Sequence, residues 1–287
     1  MLSQEFMRNA LIDGSLTGLA CGLVGYFVVL RAQVFAGDAL SHVAFVGAML
    51  ALVLGLELRL GLYASTLLVA VLLGLLGRRA RAVDDVAIGA VFVWTLGLGA
   101  LFLALYTSGA SAGNGTAGVT VLFGSIFGLD ARAVLVDGAL AVLASALLLA
   151  AVRPLLYASL DPVVARAQGL RVRLLDLGFL ALVGLVAAQA TQAVGALLLL
   201  GLLAAPAGAA QRLTANPYRG LILSALFAVG AVWLGLALAY LIPSLPPSTA
   251  IVSVAGATYV ASLLASSLRK QVAARSRRPL ALGGQGG

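Results

Sequence analysis

Residues 14–30 have the sequence GSLTGLACGLVGYFVVL and carry no charged side chain. About 20 apolar residues in a helix are enough to cross the hydrocarbon core of a bilayer. Further apolar runs follow at 39–58, 60–77, 86–106, 134–152, 174–190, 193–211, 220–242 and 248–267. The sequence therefore predicts about nine membrane spans, within a range of eight to ten. Small residues such as those of the first run let helix backbones approach closely, which favours an all-α transmembrane bundle over a β-barrel.

The overall composition supports an integral membrane protein. Of the 287 residues, 62% are hydrophobic and only 10% are charged, and the mean hydropathy is +1.10, whereas soluble domains average roughly 25% charged residues. The chain lacks a Gly-rich nucleotide-binding loop with a following Lys, which argues against an ATPase of its own. The net charge of +8 comes mostly from clusters between the runs, so nucleic-acid binding is disfavoured. A single cysteine, Cys21, excludes an internal disulfide and a Cys-rich metal site.

The distribution of positive charge predicts how the spans are oriented. Lys and Arg are concentrated in 78–85, 153–173, 211–219 and 269–278, whereas the loops at 107–118, 189–192 and 243–249 carry none. Because cytoplasmic loops are enriched in Lys and Arg, we expect the N-terminus outside and the C-terminus in the cytoplasm. Arg59 is the exception, since it falls on the outer side.

Two segments lie outside the runs. The stretch GVTVLFGSIFGL (118–129) is too short to cross a bilayer alone and is predicted to be re-entrant or interfacial. Residues 269–287 are basic and then Gly-rich, which predicts a disordered tail at the cytoplasmic surface.

Asp38 and His42, in the stretch GDALSHVAF (37–45), bring two ionisable groups into an apolar run, and His42 is the only histidine of the chain. Their spacing places both on one face of a helix, one turn apart. Such groups in a span are candidates for function, and a carboxylate with an imidazole is a plausible half-site for zinc or manganese. Two other interpretations stay open, namely that Asp38 caps the helix and that the pair relays protons. Helical counting places the pair near the cytoplasmic side, unless Gly37 bends the chain and carries it inward.

The remaining polar groups near the ends of runs are expected at the surface or the membrane interface. They are Glu57 paired with Arg59, the carboxylates of Asp130, Asp137 and Asp176, and the segment QATQ (189–192) as an outer turn. No nucleophile, base and orienting group form a catalytic set, so the chain is not expected to be an enzyme.

The connection LDPVVARAQGLRVRLLDLG (160–178) differs from the others because it contains helix signals of its own. Asp161 as the N-cap, Pro162 at the first helical position and Gly169 at the end predict a short helix of about two turns. A rigid helix on the charged side could receive a partner that pushes on the bundle, or could be a plain amphipathic surface helix.

Four blocks carry a family resemblance. They are FVVLRAQVFAGDALSHVAFVGAMLA (27–51), DDVAIGAVFVWTLGLGALFL (84–103), DPVVARAQGL (161–170) and QAVGALLLLGLLAAPAGAAQRL (192–213). In this order they closely resemble the permease subunits of bacterial ABC importers for manganese, zinc and related metals. The resemblance extends to about residue 268, and the GDALSH block is its most specific part. Val43 stands where Ala is common in the family, and no departure removes a proposed ligand.

The resemblance implies a helical fold of the vitamin-B12-importer type over residues 1–268, acting as a homodimer in the bacterial plasma (inner) membrane. It also implies ATPase subunits in the cytoplasm and an extracytoplasmic metal-binding protein as partners. Asp38 and His42 would hold the metal in transit. The 157–173 region would couple to the ATPase, and Asp161, Pro162, Ala165 and Gly169 would belong to that surface.

The expected function is therefore ATP-driven import of a divalent transition metal, with no cofactor permanently bound. We place zinc slightly ahead of manganese, although an Asp and His pair cannot separate them. The alternatives are a proton-coupled secondary transporter, a permease for a metal chelate or siderophore, and a membrane scaffold that transports nothing.

Overall fold

A computed structural model describes residues 4–76, 85–108 and 116–276 of the chain, and the regular structure in these ranges is helical. The helices are α1 (Glu5–Leu30), α2 (Val34–Val53), α3 (Leu58–Leu76), α4 (Asp85–Ser108), α5 (Thr116–Phe123), α6 (Ala131–Ala150), α7 (Val152–Leu160), α8 (Pro162–Ala167), α9 (Val172–Ala193), α10 (Leu199–Leu213), α11 (Pro217–Leu241) and α12 (Pro247–Ser276). The prediction of an all-α polytopic bundle is confirmed.

Within the described ranges, eight helices are long and apolar enough to cross a membrane. The seventh predicted run, 193–211, corresponds to α10, which has only 15 residues and contains Pro206. Helix α12 runs to Ser276, beyond the predicted end of its run at 267. Residues 277–287 of the predicted tail lie outside the described residues, so that prediction remains a prediction.

Helices α1 and α2 form the centre of the bundle, and small residues bring their neighbours close. At Gly22 an added Cβ would come within 2.6 Å of Ala225 Cα on α11, and at Gly25 it would meet the backbone of Leu203 on α10. The hydroxyl of Ser224 donates to the Gly22 carbonyl oxygen at 2.6 Å. The run that opens the sequence therefore packs by backbone approach, as its small residues predict.

The helices alternate in direction, which gives the bundle two ends. We call the end where α1 passes into α2 the Arg31 end. The opposite end, where α2 passes into α3, is the Arg59 end. Helices α7 and α8 lie at the Arg31 end, because Arg31 contacts Ser159. The start of α6 lies at the Arg59 end, where Tyr63 contacts Asp137.

The segment 118–129 turns back into the bundle and meets a break between α9 and α10. The amides of Ala196 and Leu197 donate to the carbonyl oxygens of Val121 and Leu122, each at 3.2 Å. Gly124 and Gly195, at the crossing, both have positive φ, 76° and 96°. Irregular backbone is tolerated within a membrane protein where protein groups satisfy it. Of the two possibilities left open for this segment, these contacts favour the re-entrant one.

Candidate metal-transit site

A tight turn between α1 and α2 sets the position of Asp38 and His42. Ala32 adopts a positive φ of 55°, and the amide of Gln33 donates to the Val28 carbonyl oxygen at 2.8 Å. Helix α2 then begins at Val34 and continues without interruption to Val53. Asp38 and His42 therefore lie one above the other on α2, with Asp38 in the second turn from the Arg31 end and His42 one turn deeper, near the middle of the helix.

The helix start excludes the capping interpretation of Asp38. The N-cap position belongs to Gln33, and Asp38 lies inside the helix. Gly37 does not unwind the helix either. It is buried against α10, where an added Cβ would lie 2.8 Å from Leu203 Cδ2. Asp38 thus stays near the Arg31 end, whereas His42 lies close to the middle of α2.

Asp38 opens onto a cavity of about 310 Å³ between α2 and α4, which Phe35, Ile88, Gly89 and Phe92 also line. The wall is therefore almost entirely apolar. A carboxylate in such surroundings is the natural point of attachment for a cation that enters the cavity.

His42 lies one turn further along α2 and is buried, with 6% of its surface exposed. Its ring meets Phe92 edge-on, at 4.9 Å between centroids and an angle of 90°. Phe92 thus borders both the Asp38 cavity and the imidazole. In the described part of the chain, neither the Asp38 carboxylate nor the His42 ring has a hydrogen-bond partner, although the two groups interact electrostatically.

One chain provides only part of a metal coordination shell here. Within the described ranges no group of three or more His, Cys, Asp or Glu side chains could hold a metal ion. A tetrahedral structural zinc site uses four protein ligands. Two ligands per chain suit an ion that is held briefly and then released.

Ser41 connects the same turn of α2 to the break between α9 and α10. Its hydroxyl group lies 2.7 Å from the Asp38 carbonyl oxygen and 3.0 Å from that of Ala196, and donates to these acceptors. The Ala196 carbonyl belongs to non-helical backbone, so this bond satisfies an acceptor that the helix ladder leaves free. The GDALSH block therefore carries a structural residue between its two candidate ligands.

Arg31 connects α7 and α9 to the turn between α1 and α2. Its Nη1 donates to Asp176 Oδ1 and its Nε to Ser159 Oγ, both at 2.8 Å, and the guanidinium lies over the Phe179 ring, 4.9 Å from its centroid. Burial lowers the pKa of the Arg31 guanidinium, and attraction to Asp176 opposes that change. Asp176, predicted to be interfacial, is thus the partner of an almost fully buried cation.

The short helix of the 157–173 region has the predicted form. Asp161 Oδ1 accepts from the amides of Val163 and Val164 at 3.0 and 3.1 Å, Pro162 opens α8, and Gly169 has a φ of 81°. Ala165 is buried against Ala158 and Val172. Asp161, Pro162 and Gly169 therefore set the ends of the helix, and Ala165 packs it against its neighbours. The side chains that face outward were not among the predicted site residues; they are Tyr157, Leu160, Val163 and Val164.

Sequence reasoning missed a polar cluster at the Arg59 end. Asp137, predicted to be interfacial, is buried. It accepts hydrogen bonds from the Tyr63 hydroxyl at 2.8 Å and from Gln192 Nε2 at 3.4 Å. Arg59 Nη2 lies 3.9 Å from Asp137 and equally far from Asp130. The predicted pair of Arg59 with Glu57 is therefore wrong, because α3 turns Arg59 towards α6.

The segment 189–192 is also not the turn that its polarity predicts. Helix α9 continues to Ala193, and Gln189 is buried, with its Nε2 donating to Thr17 Oγ1 at 2.9 Å. The chain turns only at the glycine that follows, Gly195. The available signal was the i, i+3 spacing of Gln189 and Gln192, which places both amides on one helix face. We call Asp13, Thr17, Arg59, Tyr63, Asp137, Gln189 and Gln192 the Arg59-end cluster.

Comparison with known proteins identifies the relatives of the chain. The sequence profile of the ABC 3 transport family matches residues 3–266. The manganese import system permease protein ScaB of Streptococcus parasanguinis is 30% identical over 82% of this chain and 82% of its own length. The manganese transport system membrane protein MntC of Halalkalibacterium halodurans is 29% identical over 80% of this chain and 77% of its own length.

A third relative carries another metal in its name, and one solved structure shares the fold. The probable iron transport system membrane protein of Haemophilus influenzae is 28% identical over 83% of this chain and 86% of its own length. The structure of PsaBC from Streptococcus pneumoniae in complex with Fab superposes with a TM-score of 0.77 at 29% identity, covering 91% of this chain and 92% of that one.

Proposed function

The chain belongs to the ABC 3 transport family, and from this premise we propose that it is the permease subunit of an importer that moves Mn²⁺ into the cytoplasm. ATP would be hydrolysed by a separate subunit. The observation that carries the proposal is the position of Asp38 and His42 on one face of α2, beside an apolar cavity and without a hydrogen-bond partner for either side chain among the described residues.

Manganese is now the first candidate for the transported metal, in place of zinc, which was slightly ahead on the sequence alone. Of the three relatives named above, ScaB and MntC are named for manganese, one is named for iron, and none is named for zinc. Carboxylate oxygen suits Mn²⁺, and imidazole suits several transition metals. Zinc stays a second cargo to be tested. Iron is a third, because the Haemophilus influenzae relative is named as an iron transport protein.

The proposed working unit is a homodimer. A two-fold axis doubles every contribution, so two Asp38 and two His42 side chains would supply four donors. These donors separate when the subunits rearrange, which releases the ion. The exposed apolar sides of α4 and α12 offer surface to a second copy or to lipid.

The Arg31 end is proposed to face the cytoplasm, with the N-terminus outside. This orientation agrees with the positive charge of the 153–173 and 211–219 segments. It places α7 and α8 where an ATPase subunit can press on them and leaves the Arg59 end for an extracytoplasmic metal-binding protein. Arg31 then connects the proposed ATPase contact with the turn that carries α2.

The test is metal uptake in cells that lack this chain, complemented by the wild type or by point variants. We expect Asp38→Ala and His42→Ala each to abolish accumulation of radioactive Mn²⁺ while the protein level in the membrane stays unchanged. Asp130→Asn, a carboxylate variant on the exposed surface, is the matched control and should transport normally. Unchanged uptake by both Ala variants would refute the transit site.

The rivals predict other outcomes. A proton-coupled secondary transporter would move Mn²⁺ in proteoliposomes without an ATPase and would stop on addition of a protonophore. A chelate permease would be inhibited by the chelate and not by free metal. A scaffold would show no metal-dependent change. The importer should instead require ATP and its ATPase subunit.

A further inference from the structure

The Arg59-end cluster holds two buried oxygen atoms that lack a hydrogen-bond partner. Asp13 and Gln189 each have 1% of their surface exposed. Among the described residues nothing donates to Asp13 Oδ1 or to Gln189 Oε1. An unpaired buried acceptor costs several kcal/mol in the folded state unless something binds it. Two of them in one cluster therefore indicate that a donor or a cation is bound between them.

The two oxygens belong to neighbouring positions of two helices. Asp13 and Thr17 are four residues apart on α1 and share a face. The Gln189 amide on α9 is held by its Nε2, which donates to Thr17 Oγ1 at 2.9 Å. The nitrogen of this amide is thus occupied, and its oxygen is the free end. Carboxylate, amide and hydroxyl oxygens all lie along the α1 and α9 contact.

The charge of the cluster is not balanced by its own side chains. Asp13 interacts electrostatically with the Asp137 carboxylate and with the Arg59 guanidinium. Asp137 already has Tyr63, Gln192 and Arg59 as partners. Asp130, the other carboxylate near Arg59, has an exposed side chain and is solvated. The two buried carboxylates, Asp13 and Asp137, therefore share one guanidinium, and an ionised Asp13 adds a negative charge that no side chain of the cluster neutralises.

We propose that Asp13 and Gln189, with the Thr17 hydroxyl, bind one monovalent metal cation of the Na⁺ or K⁺ class. Such an ion accepts several oxygen ligands at once and so satisfies both unpaired acceptors. A proton on Asp13 would let its carboxyl group donate to Gln189 Oε1, and a buried water could donate to both oxygens, but neither would make stability depend on the choice of Na⁺, K⁺ or choline. A divalent ion would leave a buried positive charge in place of the negative one.

A groove borders the cluster at the Arg59 end. It has a volume of about 670 Å³, lies between α3 and α6, and is lined by Arg59, Tyr63 and Asp130 among other residues. Arg59 and Tyr63 belong to both the groove and the cluster. This site is separate from Asp38 and His42, which lie on α2 and closer to the Arg31 end, and it does not depend on the transported metal.

The experiment measures the thermal unfolding of the purified full-length chain in lipid nanodiscs. NaCl, KCl and choline chloride are compared at equal ionic strength, so that only specific binding differs. Na⁺ or K⁺ at tenfold its dissociation constant is expected to raise Tm by about 3 °C over choline, and the comparison of the two salts identifies the ion. Asp13→Asn should lose this response. In choline it should unfold at or above the wild-type temperature, because it removes the buried charge.

Three controls distinguish the outcomes. Glu5→Gln makes the same change of carboxylate to amide on an exposed residue at the start of α1 that does not line the groove, and it should respond to the cations like the wild type. The double variant Asp38→Ala/His42→Ala should also respond fully, so failure of the metal-transit site would not affect this test. Gln189→Leu should shift the cation midpoint to higher concentration by tenfold or more.

Equal Tm values for the wild type in all three salts would overturn the proposal, as would a response that Asp13→Asn retains. A third contrary result is stabilisation by acidification in choline with no further effect of Na⁺ or K⁺. In that case Asp13 holds a proton instead of a metal cation.

Discussion

Arg31 and Asp176 form an ion pair with 2.8 Å between Nη1 and Oδ1, and it joins the turn before α2 to the first turns of α9. The same guanidinium donates to Ser159 at the end of α7. One side chain thus connects three segments of the Arg31 end: the base of the helix with the candidate ligands, the helix that precedes α8, and the helix that follows it.

Replacing Arg31 should weaken both the fold and the coupling between ATP hydrolysis and transport. Arg31→Ala removes two hydrogen bonds and leaves Asp176 and Ser159 without their partner, at a cost of about 1–3 kcal/mol. We expect a lower Tm and fewer Mn²⁺ ions moved per ATP hydrolysed. Transport and ATPase rates of the reconstituted complex measure this ratio.

Two further variants sharpen the Arg31 test. Arg31→Lys keeps the charge but cannot reach both acceptors with the geometry of a guanidinium, so it should fall between the wild type and Arg31→Ala. Arg153→Ala, an exposed arginine on α7, should leave the ratio unchanged. A normal ratio in Arg31→Ala would show that coupling does not pass through this side chain.

Ser41→Ala should destabilise the break between α9 and α10. It leaves the Ala196 carbonyl unpaired within the bundle, which costs about 1–3 kcal/mol. The matched control is Ser145→Ala, because the buried Ser145 hydroxyl has no partner among the described residues, and its removal should be neutral or stabilising. Thermal unfolding in nanodiscs compares the two. Equal Tm values would mean that the bond to Ala196 contributes nothing to stability.

The sequence predicted those features that depend on local pattern. The spans follow from the length and polarity of single runs, and α8 follows from Asp161, Pro162 and Gly169, whose effects act within one turn. The position of Asp38 on α2 could be counted from the neighbouring residues. In each case the deciding residues are near one another in the chain, so neighbouring helices do not change the result.

The burial and the partners of the polar residues at the Arg59 end depend on which helices pack together, and this could not be predicted from the sequence. Asp137 lies near the start of α6, and a polar residue near a helix end is expected at the membrane interface. It is buried because α3 and α9 bring Tyr63 and Gln192 against it. Gln189 is buried because α1 presents Thr17 opposite. Arg31 and Asp176, 145 residues apart, likewise pair only in the folded chain. No local pattern contains these contacts.

His42→Asp should change which metal the permease prefers. The substitution replaces an imidazole with a carboxylate and gives the dimer an all-oxygen donor set, which suits Mn²⁺ better than Zn²⁺. We expect Mn²⁺ uptake to persist and competition by Zn²⁺ to weaken by about tenfold or more, the usual scale for a changed metal environment. Radioactive Mn²⁺ uptake with increasing unlabelled Zn²⁺ measures this. An unchanged Zn²⁺ inhibition constant would show that His42 does not touch the ion.

Val163→Asp should detach the ATPase subunit without unfolding the permease. Val163 is 72% exposed on α8, so a charge there disturbs no packing within the chain but disrupts an apolar contact with a partner. We expect an unchanged Tm and a loss of at least about 90% of the ATPase that co-purifies with the permease, since an unpaired carboxylate buried in an apolar contact costs more than the about 1.4 kcal/mol that corresponds to a tenfold loss of affinity.

The control for Val163 must carry the same charge at the same end of the bundle. Ala215→Asp does so in the exposed turn between α10 and α11, away from α8, and should retain the ATPase. Ala165→Leu differs in kind, because Ala165 is buried against Ala158 and Val172 and a larger side chain displaces the helix and lowers Tm. If Val163→Asp retained the ATPase while Ala215→Asp lost it, the partner would bind the α10–α11 turn, and the outward face of α8 would not be the coupling surface.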